Sequence, residues 1–249
     1  MAKLVAFIGS PSSGKTTLAL KTAMAAYMDK RTKNSRIVFL SPDINVPSVA
    51  VLFPNYVPDE ICSLGVILDN TDISVDMLLK NIVTVKTMKD FGCLGFKSGE
   101  SKFSYPTPTD DKISDLFNAL SEIADYIFVD CTDRTDDKIS KRALTSADVV
   151  FRVMSADPKG ITWYSSNKNM GRVENEDIFN IVTVLDKDVF TSTEEVCSSI
   201  HSVLAIIPYL KGIRQQMIDG RLYDHLSDKA YDKKIKTIIS KILISEELE

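Results

Sequence analysis

The stretch Gly9-Ser10-Pro11-Ser12-Ser13-Gly14-Lys15-Thr16 constrains this chain more than any other, because it meets the phosphate-binding pattern G-x-x-x-x-G-K-[ST] at every fixed letter. Before it lies Leu4-Val5-Ala6-Phe7-Ile8, an apolar run that reads as a buried strand; after it, residues 17–27 are rich in Ala and Leu and read as a helix. Strand, loop and helix are the setting such a loop requires. Phosphates tolerate no crowding, so Gly9 and Gly14 let the backbone turn tightly and aim its N–H groups inward. The positive end of the following helix adds to that field. Lys15 is placed to reach β- and γ-phosphates, the hydroxyl of Thr16 to complete a Mg²⁺ shell, and Ser12, Ser13 and Thr17 to line the cradle. A chance turn rich in Gly and Ser is the bland alternative, and the flanking elements argue against it.

At 249 residues the chain is long enough for a single large α/β domain over 1–249. Its net charge of −4 gives no global attraction to nucleic acid or anionic lipid, although a local basic patch stays open. Cys62, Cys93, Cys131 and Cys197 are too widely spaced for a zinc pattern, and His201 and His225 have no matching cluster, so free thiols behaving as small hydrophobes are expected. The first apolar run is too short for a signal peptide, and no run approaches the ~20 residues of a membrane span. The cytoplasm is the expected compartment.

Further along, Ile37-Val38-Phe39-Leu40 reads as a strand buried in a parallel sheet and ends in Ser41-Pro42-Asp43. Ligand crevices form at the carboxyl ends of such strands, which makes Asp43 a partner for the site at Lys15 or, alternatively, the cap of its own turn. Residues 72–80 suit a short helix, and Val83-Thr84-Val85-Lys86 a strand. The stretch 90–108, with Gly92, Gly95, Gly99, Pro106 and Pro108, reads mostly as loop, with a short strand at Cys93-Leu94-Gly95-Phe96. Residues 111–124 carry apolar side chains at helical spacing, and Tyr126-Ile127-Phe128-Val129 then ends in Asp130. An acid at that point is what a P-loop needs to hold Mg²⁺ directly or through water. Helices at 138–147 and 192–202, strands at 149–154, 178–185 and 203–207, and a terminal helix from Asp228 complete the pattern. The fold expected is α/β, three-layer αβα, with a mainly parallel sheet of about seven or eight strands.

The order of these motifs resembles the ParA/MinD family of dimerising P-loop ATPases, including its TadZ/CpaE-like members. Residues 9–16 look like that family's first motif, Phe39-Leu40-Ser41-Pro42-Asp43 its switch I, and residues 126–133 its switch II. Val182-Thr183-Val184-Leu185-Asp186 resembles the strand that ends at the base pocket, and Ala205-Ile206-Ile207-Pro208-Tyr209 the closing Ile-Pro turn, so Asp186 and Pro208 are expected beside the base. The resemblance implies ATP and Mg²⁺ as cofactors, Lys15 on phosphate, Asp43 orienting water, Thr16 and Asp130 at the metal, and a nucleotide-dependent homodimer that positions a partner or cargo. Two positions depart from the family. Ser10 stands where a Lys usually reaches across the dimer, and Ser41 where an Asp is usual. Loss of that Lys removes a charge from the γ-phosphate, so slow or absent turnover is expected.

Three outputs follow from the resemblance. Lys30, Arg31, Lys33 and Arg36, with Lys233, Lys234, Lys236 and Lys241, could bind DNA or simply be a solvated face. Ile235, Ile238, Ile239, Ile242 and Leu243 form a terminal stripe that could dock on a membrane; core packing fits better, because Glu246-Glu247-Leu248-Glu249 would be repelled by anionic lipid. The rival to a turning-over ATPase is a non-hydrolysing, nucleotide-bound localisation scaffold of the TadZ kind. A P-loop small-molecule kinase is weaker, since it needs an Arg-rich lid and residues 90–108 contain no Arg.

Overall fold

Apolar strands alternating with one-sided helices assemble, in the computed structural model, into an eight-stranded sheet clothed on both faces. The structure describes residues 2–54, 62–85, 87–134, 136–169, 177–186 and 192–243. The strands are β1 (Lys3–Gly9), β2 (Ile37–Ser41), β3 (Val83–Val85), β4 (Met88–Gly95), β5 (Tyr126–Asp130), β6 (Val149–Ser155), β7 (Ile178–Thr183) and β8 (Val203–Ile207). Their order is β3-β4-β2-β5-β1-β6-β7-β8. Every pairing is parallel except that of β3, a short antiparallel edge whose register slips between Thr84 and Val85.

The helices are α1 (Lys15–Met28), α2 (Val49–Leu52), α3 (Leu64–Asp69), α4 (Val75–Asn81), α5 (Asp110–Ile123), α6 (Lys138–Ser146), α7 (Pro158–Asn167), α8 (Thr193–Ser199), α9 (Lys211–Ile218) and α10 (Lys229–Leu243). Because side chains alternate along a strand, β1 sends Val5 and Phe7 into one layer with α1, α2 and α10, and Leu4, Ala6 and Ile8 into the other with α3 to α6. Aromatics join neighbouring strands on the first face, with Phe7 5.0 Å from Phe151 and Phe151 5.8 Å from Phe179. Helices α7 and α8 cover a smaller cluster around Met154 and Val182.

The sheet extends further than the loop expected over 90–108, since β4 runs to Gly95. Its glycines serve close approach, not turning. A Cβ on Gly92 would lie 2.5 Å from Ile82 Cγ2, and one on Gly95 2.5 Å from Val49 Cγ2. Helix α7, unforeseen in the sequence, has an ordinary start signal: Asp157 accepts a hydrogen bond from the Gly160 amide at 2.8 Å, and Pro158 follows the cap. Helix α9 buries no residue fully, although Ile213 packs half-buried against the core. The strand expected over 83–86 forms at Val83–Val85, and Lys86 lies outside the described residues.

On α10 the residues Ile235, Ile238, Ile239, Ile242 and Leu243 are all buried, so the terminal stripe belongs to the core. Residues 246–249 lie outside the described residues. Among the described residues no helix is long and apolar enough to cross a membrane.

Three charged residues, Lys21, Asp130 and Arg152, are buried among the described residues. Lys21 of α1 is 5% exposed, and its Nζ donates to Gln216 Oε1 and to the Asp224 carbonyl, both at 2.6 Å, tying α1 to α9 and the turn beyond. Burial lowers its pKa from 10.5 to about 8, against the pull of Asp224. Folded Lys21 therefore sheds its proton where the unfolded chain still holds it, and its contribution to stability rises with pH from about 8. Cys93 and Cys131 act oppositely, because burial raises both thiols above 9.0 and only the unfolded chain ionises there. Urea unfolding is expected to show a stability rise from pH 8 to 9 that reverses at higher pH. A Lys21→Met variant is expected to lose that rise and keep the fall.

Candidate functional site

Strand β1 delivers the loop of residues 9–14 to the middle of the sheet, with β5 on one side and β6 on the other. Gly9 is dictated by the crossing onto β6, since a Cβ there would sit 2.0 Å from the Val153 carbonyl oxygen. That oxygen accepts from the Ser10 amide at 3.0 Å. Ser12 (φ 58) and Gly14 (φ 76) then adopt left-handed backbone, the kind of turn that gathers N–H groups into an anion-binding nest. The Ser13 amide donates to the Ser10 carbonyl at 3.1 Å, and Thr183 at the end of β7 donates from Oγ1 to the Ser13 carbonyl at 2.6 Å. Thr183 is a functional residue the sequence reading missed; a lone hydroxyl at the end of an apolar strand was the available signal.

Several donors in this loop are left over. Ser13 Oγ is buried with no hydrogen-bond partner among the described residues. The cap of α1 makes no side-chain bond and the first turn holds no acid. The Leu18 amide is bonded to the Gly14 carbonyl at 2.9 Å, so the amides before it have no partner within the helix. Lys15, Thr16 and Thr17 fill that first turn, all half-buried. Unspent donors, left-handed turns and one cation together fit a phosphate group.

Lys15 Nζ meets Asp130 Oδ1 at 2.6 Å, with the two side chains only 16% and 4% exposed. Parallel register sets this contact: Phe7 pairs with Asp130 across β1 and β5, and the Cys131 amide donates to the Phe7 carbonyl at 2.9 Å. Beyond it, Thr132 Oγ1 donates to Asp137 Oδ2 at 2.8 Å, and Asp137 caps α6.

Asp43 stands elsewhere. Its Oδ1 accepts from the Asn45 and Val46 amides at 2.9 and 3.1 Å, an Asx turn that caps its own loop. It lines a cleft of about 130 Å³ with Thr132, Arg134 and Lys102. The two serines at departing positions both turn inward. Ser41 is 1% exposed and its Oγ lies 2.7 Å from Ser48 Oγ. Ser10 is 2% exposed, its Oγ 3.4 Å from Ser155 Oγ and accepting from the Ser155 amide at 3.3 Å.

Beside the loop opens a larger cleft of about 400 Å³, lined by Gly14, Thr17, Leu185, Pro208, Met217 and Tyr231 among others. Thr17 Oγ1 lies 3.9 Å from Met217 Sδ. Pro208 is on its wall, whereas Asp186 is exposed and follows the lining residue Leu185. Asp29, between the basic residues of its turn, carries a carboxyl held below its usual range chiefly by the Arg31 hydrogen bond, with Lys236 of α10 adding a smaller pull. Among the described residues no group of three or more His, Cys, Asp and Glu could hold a metal by itself.

Neither a protein-family model nor a curated protein matches the sequence. Solved structures do match in fold. A ParA family ATPase from Chlorobium tepidum TLS superposes with a TM-score of 0.71 at 16% identity, covering 97% of this chain and 98% of that one. A plasmid partition protein from Borrelia burgdorferi B31 bound to AMPPNP gives 0.73 at 19% identity over 98% and 100%. The septum site-determining protein MinD from Pyrococcus horikoshii OT3, complexed with Mg-ADP, gives 0.72 at 17% identity over 98% and 98%. The chain therefore has the ParA/MinD fold along nearly its whole length.

Because Asp130 is buried, removing its counter-ion strands a charge. A Lys15→Ala variant is expected to lose about 3 kcal/mol in urea unfolding, and a Lys15→Met, Asp130→Asn double variant to recover most of it.

Proposed function

We propose that this chain is a single-domain, cytoplasmic P-loop ATPase that binds ATP with Mg²⁺ and whose nucleotide state controls homodimerisation and the positioning of a partner or cargo. One observation carries the reading: the left-handed nest at Ser12 and Gly14, with its unspent donors, sits against the buried Lys15–Asp130 pair. The shared fold with partition and septum-site ATPases supports the positioning role.

In this reading Lys15 leaves Asp130 for the β- and γ-phosphates, and the amides of residues 14–17, which have no partner within the helix, close around them. The Thr16 hydroxyl and Asp130 hold Mg²⁺, which when bound neutralises phosphate charge and orients the γ-phosphate. Asp43 orients water from the neighbouring loop, and the base lies in the cleft bounded by Pro208, with Asp186 at its edge. The basic residues of the turn after α1 and of α10 remain a candidate surface for DNA, although Arg31 and Arg36 are paired with Asp29 and Asp125 and the net charge of −4 does not favour it.

A second reading is favoured by a separate observation. Ser10 is folded onto Ser155 and Ser41 onto Ser48, so neither position presents a charge to the nucleotide. A chain that holds ATP without hydrolysing it, as a localisation scaffold, meets that geometry. A small-molecule kinase has no such support, because residues 90–108 lack the arginine of a lid.

Phosphate release measured over a range of protein concentrations separates the two: a dimer-activated ATPase turns over faster than linearly with concentration, and a scaffold releases none. Titration with a fluorescent ATP analogue is expected to show binding by the wild type and its loss in a folded Lys15→Ala variant. Wild-type affinity in that variant would overturn the assignment of the site.

A further inference from the structure

The smaller cleft is built by the loops that follow β2, β4 and β5, on the opposite side of β1 from the larger one. Three cations line it, Lys102, Arg134 and Lys138. Two of them are occupied away from the phosphate loop. Lys138 is paired with Asp110 at 3.0 Å, and Lys102 follows β4, two strands farther from β1 than β5 is, with its Nζ 5.1 Å from the centre of the Phe103 ring. Arg134 follows β5, the immediate neighbour of β1, and stands four residues past Asp130, a backbone span of at most about 14 Å. The backbone around it is fixed, since the Thr132 amide donates to Ser140 Oγ at 2.8 Å and the Asp137 amide to the Arg134 carbonyl at 3.4 Å. Its side chain is held more loosely. Nε donates to Asp136 Oδ1 at 2.8 Å, but Asp136 is 68% exposed, and a local surface pair of this kind is readily given up. The guanidinium pKa is raised, chiefly by the Asp136 hydrogen bond, with Asp43 and Asp137 adding smaller pulls, so Arg134 and Asp43 act on each other within the cleft. Charge is scarce elsewhere around the loop. Ser10 and Ser41 turn inward, and Arg214 lines the larger cleft.

We infer that Arg134 is the residue that tells ATP from ADP, leaving Asp136 to donate to γ-phosphate oxygens when ATP is bound. This rests on the proposed placement of the phosphates on Lys15 and of Asp43 beside the water that faces the γ-phosphate. A guanidinium suits the task, because its fork of N–H groups matches phosphate oxygens and its charge persists at any working pH. ATP differs from ADP by one anionic group, so a cation that reaches that group alone favours ATP and leaves ADP unaffected. The role is the same whether the ATP is then hydrolysed or merely held.

The test uses the full chain with Mg²⁺ and displacement of a fluorescent ADP analogue by ATP and by ADP. Wild type is expected to prefer ATP. Arg134→Ala is expected to weaken ATP about tenfold to a hundredfold, the worth of a hydrogen bond to a charged group, and to leave ADP unchanged. Arg134→Lys keeps the charge without the fork and is expected to recover part of the loss. Asp136→Asn, which frees the guanidinium, is expected to tighten ATP and spare ADP, and Lys102→Ala to change neither. Equal weakening of both nucleotides in a folded Arg134→Ala variant, or weakening of neither, overturns the inference while the phosphate site stands. So does a loss of ATP affinity in Asp136→Asn, which would make the pair a brace of its own loop. A wild type that binds neither nucleotide overturns the proposed function itself.

Discussion

A buried carboxylate and a buried ammonium, 2.6 Å apart at the seam of β1 and β5, set the terms for the rest of this molecule. Neither charge is stable there alone, because the solvation each has lost is repaid only by the other. The pairing in turn requires the strands to be parallel and in register at Phe7 and Asp130, and requires the loop between β1 and α1 to turn back over the strand ends. In the proposed function, a phosphate that claims Lys15 would leave Asp130 needing a cation, so that phosphate and metal would be coupled through this one short contact.

Much of this was legible from residue patterns. The loop announces itself by fixed letters, and the strands that flank it are apolar runs that can only be buried. Asp130 was legible only beside the P-loop, because many apolar strands end in Asp and the phosphate loop is what gives such an acid a second purpose. What stayed hidden was set by contacts between distant residues. Gly92 and Gly95 look like turn formers, yet Gly92 makes room for the Ile82 side chain and Gly95 for Val49 and the Ser41 carbonyl, neighbours that local sequence does not reveal. Helix α9 lies on the surface and buries no residue fully, and its short apolar face, Ile213 and Met217, is a weak signal among polar neighbours. Asp43 shows the same limit at the site, since a carboxylate that caps its own loop and one that faces a ligand have the same letter.

The neighbourhood of the loop is also more interconnected than its motif suggests. Thr183 from β7 holds the Ser13 carbonyl, Ser155 from β6 holds Ser10, and Gly160 of α7 packs its backbone on the Ser155 carbonyl, where a Cβ would lie 2.1 Å away. A loop fixed from two neighbouring strands, one of them braced by α7, loses little conformational entropy when it binds, which favours affinity. Lys21 does comparable service for the opposite wall of the large cleft by anchoring α9 to α1.

The inward turn of Ser10 has a consequence in ionic strength. A lysine at that position, reaching toward a second subunit, would make assembly and nucleotide retention depend on a charge crossing an interface, and such a term fades within the ~10 Å screening length of ordinary salt. Here the position is folded onto Ser155, and in the proposed reading the charge offered to phosphates would come from Lys15 and the start of α1 in the same chain. In the proposed dimer, position 10 would then add no charge across the interface, and salt would have no contact to screen there.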